Sequence, residues 1–171
     1  MAGPSQSPRI LGRLQAEAGK GIVHLENRFE TGIGELWSAL TDPGRLAGWY
    51  GQVEGDLRPG GVFHSHVWAS GWDGTGRVDV CEPGQRLVVT SKEADAPEEE
   101  ILEATLAADG DQAVLILDQR NLPLEYLAAY GAGLQIHVED LAAHLAGRDR
   151  AAATRWDELL PSYQDLAAHL G

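Results

Sequence analysis

From Gly51 to Gln119 apolar residues recur at every second position, and glycine- or proline-containing turns interrupt them at short intervals. Such a pattern commits the chain to antiparallel strands, because side chains alternate between the two faces of a strand and tight turns return the chain beside itself. The segments QVEGDLRPGG, VFHSHVW, GRVDVCEPGQ, RLVVTSKE, EILEATLAA and QAVLILDQ are the predicted strands. Arg58-Pro59-Gly60-Gly61, Gly71 to Gly76, Glu82-Pro83-Gly84 and Asp109-Gly110-Asp111 are the predicted turns between them. The acidic stretch Glu93 to Glu100 reads as a solvated loop.

What precedes this run is a hairpin and two short helices. Ala18-Gly19-Lys20-Gly21 supplies the turn before GIVHLENRF, in which Val23, Leu25 and Phe29 share a face. Glu35 to Leu40 reads as a helix burying Leu36, Trp37 and Leu40, and Asp42 then caps a second helix with Pro43 in its first position. After the strands, Asn121-Leu122-Pro123 opens a long helix. In it Leu134, Val138, Leu141 and Leu145 form an apolar stripe. Trp156, Leu159, Leu160, Tyr163, Leu166 and Leu170 continue at helical spacing, with Pro161 expected to kink or divide that last segment. The expected organisation is a frayed N-terminus over 1–8, one domain over 9–147 and a helical tail over 148–171 packed on it. No internal repeat is visible.

Composition narrows the function. A chain of 171 residues suits one domain with one core. With 13 Lys and Arg against 26 Asp and Glu the net charge is −13, the wrong sign for nucleic acid or an anionic membrane. The lone cysteine, Cys81, excludes an internal disulfide, and it has no cationic neighbour in sequence to activate it as a nucleophile. No apolar stretch reaches the length of a spanning helix or a secretory signal, so the expectation is a cytoplasmic protein. Nucleophile-elbow, zincin, dithiol and P-loop motifs are absent.

Three stretches carry a family resemblance. ELWSALTDPGRLAGWYG, VEGDLRPGGVF and GRVDVCEPGQRLVVT, closed by GAGLQIHVEDLAAHLAG, resemble the AHSA-like branch (activator of heat-shock-protein ATPase homologue) of the SRPBCC or START-like superfamily, over about Val23 to Gly147. The resemblance implies an α+β helix-grip fold: a curved antiparallel sheet of about six or seven strands wrapped around a long C-terminal helix, with two short helices after the first long strand. It also implies a protein that holds a small hydrophobic ligand, because that superfamily includes lipid, hormone and pigment binders; the abundance of Ala, Gly and Leu is what suggests a bacterial source. Alternatives within it are a polyketide aromatase/cyclase-like enzyme and an interaction protein, either a chaperone regulator or a self-resistance protein. A protein partner or a homodimer stays open. The chain departs from the branch in its last strand, where Ala113 to Gln119 lacks the usual threonine and histidine. It departs again in its closing helix, where Gly133-Leu134 replaces Gly-Trp and leaves more room beside the sheet.

On this basis the predicted cavity lining is Leu25, Phe29, Trp49, Phe63, Val67, Trp72, Val89, Leu115, Leu117, Tyr130, Leu134 and Val138. Trp49 also reads as a core plug, and Trp72 as part of a loop closing over a ligand. For the enzyme alternative the candidate proton-transfer groups are Asp118, Gln119, Tyr126 and His137. No cofactor and no metal are expected. His64 and His66 share one strand face without a third ligand and read as solvent-facing, and His137, Asp140 and His144 share one helix stripe that reads as a solvated polar face.

Overall fold

The computed structural model describes residues 9–170, so the expected fraying over 1–8 lies outside the described residues. Strands β1 (Gly12–Glu17) and β2 (Lys20–Phe29) form the first hairpin. Helices α1 (Ile33–Thr41) and α2 (Pro43–Trp49) then carry the chain across to the far edge. The Asp42 side chain accepts from the Gly44 N–H at 2.9 Å, so the expected cap separates the two helices. From there β3 (Gly51–Gly55), β4 (Val62–Val67), β5 (Asp73–Glu82), β6 (Arg86–Glu93), β7 (Glu100–Asp109) and β8 (Gln112–Leu122) return as a meander, each antiparallel to the last. β8 closes the circuit by pairing with β2, giving one sheet of eight strands in the order β1-β2-β8-β7-β6-β5-β4-β3. This is the α+β helix-grip arrangement.

Two local details depart from the sequence reading. The turn after β4 ends at Trp72, and Gly74 and Gly76 are buried positions inside β5 rather than turn residues. A Cβ at Gly74 would lie 2.6 Å from the Trp72 ring, and one at Gly76 would lie 2.4 Å from the Phe63 ring. The two glycines leave room for these rings and, at Gly74, for the Lys92 carbonyl, which a Cβ would approach to 2.4 Å. Likewise Glu100 belongs to β7 and not to the solvated loop, in step with inward-facing Ala104 and Leu106.

Helix α3 (Leu127–Leu145), entered through a 3-10 turn at Leu124–Tyr126, lies across the inner face of the sheet. It buries the stripe Leu134, Val138 and Leu141, and also Gln135, Ile136, Asp140 and Ala143, because helix α4 (Thr154–Ala168) covers its outer side. The polar stripe is therefore not solvated. Asp140 is 1% exposed and accepts from the Ala151 N–H at 2.8 Å, and His144 accepts from Arg45 Nε at 3.1 Å. α4 runs unbroken through Pro161, against expectation, because Leu159 and Tyr163 are both fully buried and hold the helix on either side of it.

The join between α3, α4 and β1 is a buried polar network. Tyr163 Oη donates to Gln135 Oε1 at 2.6 Å and accepts from the Gly12 N–H at 3.0 Å. Gln135 Oε1 also accepts from the Leu11 N–H at 3.1 Å, while its Nε2 donates to the Arg9 carbonyl at 2.7 Å and to Glu139 at 2.9 Å. Gly131 lets the Tyr163 ring approach, since a Cβ there would lie 2.5 Å from it. Arg155 grips Glu139 with two bonds of 2.7 Å. Among the described residues no helix is long and apolar enough to cross a membrane.

Candidate functional site: a roofed cavity

Between α3 and strands β4 to β8 the side chains do not meet, and a cavity of about 320 Å³ remains. Inward positions of the strands supply its floor, through Phe63 and Val67 on β4, Val89 on β6, Leu102 on β7 and Leu115 and Leu117 on β8. Tyr130, Leu134, Val138 and Leu141 roof it from α3, and Trp49 and Tyr50 close the α2 end. Trp49 is also the core plug foreseen for it: it is 5% exposed and its indole N–H donates to the Ala39 carbonyl at 2.9 Å. Trp72 lines the loop side. Leu25 and Phe29 do not reach this space. They are buried in the continuous core, where α3 rests directly against β2.

Of the four proton-transfer candidates, the structure brings two into the cavity. Gln119 and His137 line it. Asp118 points to the opposite face of the sheet, because neighbours in a strand alternate, and it bonds there to His24 Nδ1 at 2.7 Å. Tyr126 lies in the 3-10 turn and is 58% exposed. His64 and His66 lie on the outer face, both bonded to Asp73 at 2.7 and 3.0 Å, and these bonds hold the Asp73 carboxyl below its ordinary range. Among the described residues no group of three or more His, Cys, Asp or Glu side chains is placed to hold a metal ion.

Glu100 and Tyr50 are cavity residues that the sequence reading missed. The strand alternation carried a signal for Glu100, since it is in phase with Leu102, Ala104 and Leu106, but the surrounding acidic run hid it. Desolvation raises the Glu100 carboxyl above its ordinary value, against the opposing pull of Tyr130 and Gln119, whose Nε2 donates to Oε1 at 3.4 Å. Burial, with Glu100 adding to it, pushes the Tyr50 hydroxyl up to about 12 and raises that of Tyr130 as well. His137 packs edge-on to the Tyr50 ring at 5.0 Å, and its Nδ1 has no hydrogen-bond partner. Burial, helped by Arg150, lowers its pKa to about 4, so the ring is neutral near pH 7.

The cavity continues outward. A second cleft of about 530 Å³ lies between α3, the turn Trp68 to Ser70 and the segment Arg150 to Ala153, and it shares Ser70, Gly133, His137 and Trp156 with the cavity. His137 thus stands between an apolar interior and a more polar vestibule.

An antiparallel sheet gripping a long C-terminal helix defines the helix-grip class. The chain belongs to the family of Activator of Hsp90 ATPase homolog 1-like proteins, whose model matches residues 30–146. Its structure is similar to that of CalU16 from Micromonospora echinospora, with 23% identity, coverage of 92% of this chain and 96% of that one, and a TM-score of 0.75. It is also similar to DynU16, a protein in the dynemicin biosynthetic locus, with 24% identity, coverage of 77% and 50%, and a TM-score of 0.69. The product of gene BPP1335 from Bordetella parapertussis matches at 22% identity, coverage of 98% and 95%, and a TM-score of 0.71. Likeness at these identities carries the fold alone. No curated protein matches the chain.

Proposed function

We propose that this protein binds a small, mostly apolar molecule in the cavity under α3. The observation that supports it is the roofed cavity of about 320 Å³, walled by aliphatic and aromatic side chains with a few polar groups converging on it. On this reading 9–147 is the binding domain, and Arg150 to Ala153 and Trp156 of the 148–171 tail wall the vestibule. DynU16, which shares this fold, is a protein in the dynemicin biosynthetic locus, which makes small molecules the class to test.

Linkage supplies the test. A molecule that binds only the folded state at a hundredfold excess over Kd stabilises it by about 2.7 kcal/mol, which for a domain of this size is roughly 5–10 °C in Tm. A thermal-shift screen of flat polycyclic and fatty compounds should give such shifts, accompanied by tryptophan quenching from Trp49 and Trp72. A panel that moves neither signal would sink the proposal.

A second reading, a cyclase-like enzyme acting on a poly-keto chain, draws support from the neutral His137 ring and the Glu100 carboxyl in one cavity, a pairing suited to moving protons. Time-dependent conversion of a bound compound that is lost in His137→Ala would favour it.

A further inference from the structure

Glu100 differs from most of the protein's partly buried carboxylates, which have a cationic partner, and from Asp140, which lacks an ion pair but accepts from the Ala151 N–H at 2.8 Å. Glu103 is paired with both Arg86 and Arg120, Glu139 with Arg155, and Asp79 with Arg77. Glu100 has no cationic partner among the described residues, and no Lys or Arg lines the cavity into which it points. The other charged residue of the lining is a second acid, Glu93. What surrounds Glu100 is the Tyr130 hydroxyl, the Gln119 amide at 3.4 Å and, further along, the Tyr50 ring. An unpaired carboxylate in such a place is costly, and a cation brought in by an occupant would relieve that cost. Tyrosine ring faces add attraction for the same charge.

A second observation is independent of the acids. His137 lines the same cavity wall and its buried Nδ1 has no partner in the protein, so a polar group of an occupant placed against this ring would find an imidazole free to bond.

We propose that the cavity selects apolar molecules bearing a protonated amine, with the ammonium held by the Glu100 carboxylate beside Tyr130 and Gln119, and a second hydrogen-bonding group meeting His137. This rests on the reading that the cavity holds a small molecule, and it names the chemical class. His137, being neutral, does not compete for the carboxylate.

The experiment compares three probes of one size by calorimetry near neutral pH: naphthalen-2-ylmethylamine, naphthalen-2-ylmethanol and naphthalene-2-carboxylate. The amine should bind on the order of tenfold more tightly than the alcohol, and the carboxylate more weakly than either. In Glu100→Gln the preference for the amine should vanish while alcohol binding is retained. Equal affinity of amine and alcohol for the wild type, a comparison that does not depend on any variant folding, overturns the amine assignment but leaves the cavity reading standing. A preference that survives in Glu100→Gln also overturns the assignment to Glu100. Failure of all three probes to bind removes the cavity reading and this inference with it.

Discussion

One helix covers two regions of the sheet, and they treat polar groups in opposite ways. Over β1 and β2, helix α3 packs directly and every polar side-chain atom of Gln135 and Tyr163 is engaged. Over β4 to β8 the same helix stands off, and there Glu100 has only the neutral partners Tyr130 and Gln119 and His137 Nδ1 has none. Both regions bury polar side chains, so burial alone does not mark a site. The difference lies in whether the protein supplies the partners itself. Satisfied groups fix the scaffold, and groups left short of partners mark where something else belongs.

The largest expected effect comes from breaking the closed region. Tyr163→Ala removes a fully buried ring together with the hydroxyl on which Gln135 and Gly12 depend. It should cost about 3–5 kcal/mol in urea unfolding, whereas Trp72→Ala, at the cavity wall, should cost clearly less. Equal losses would erase the contrast.

Next in size is overpacking. Leu25→Phe enlarges a side chain that is 0% exposed in filled core and should cost about 1–3 kcal/mol. Leu134→Trp projects into open space and should cost less than about 1 kcal/mol while weakening bulky ligands. If the second is as damaging as the first, the space beneath α3 is not available to a ligand.

The pH response sharpens the comparison. His137 has a lowered pKa when folded, so the unfolded chain binds its proton more readily, and stability should fall as pH drops from about 6.5 towards about 4. His137→Phe should flatten that slope. Glu100 acts in the other sense. Its raised folded pKa means that the folded state keeps the proton longer, so its contribution is present below the ordinary glutamate range and is lost as pH rises through the raised value. Urea unfolding at a series of pH values reads both. The smallest effect is that of Glu100→Gln near neutral pH, which should leave stability unchanged or slightly higher, since it removes a charge with no cationic partner.

The fold was legible because its signals are local. Period-two alternation gave the strands, and Asp42-Pro43 gave the boundary between α1 and α2. Much of the lining followed, because Phe63, Val89, Leu115, Leu117, Leu134 and Val138 need only a sheet face and a helix stripe to be placed. Leu25 and Phe29 show the limit. They carry the same face signal, but where along a sheet a helix stands off depends on side-chain volumes from several elements at once. Asp118 was misplaced because its alternation with Leu117 and Gln119 went unused. The stripe of His137 and Asp140 was decided by α4, which reaches α3 through tertiary packing that no local pattern records. Glu100 was hidden by composition, one acid among several that do face water.

Gly74 and Gly76 bear on how this cavity can change over generations. Where a strand presents backbone, no substitution can enlarge the space, and any added side chain meets a ring at 2.4 to 2.6 Å. Phe63 and Trp72 are the converse, since shortening either opens the wall. Variation in this wall is therefore confined to Phe63 and Trp72, the two rings that line the cavity, while Gly74 and Gly76 behind them stay fixed. Descendants of this chain could retune ligand size there without disturbing Glu100 or the helix above.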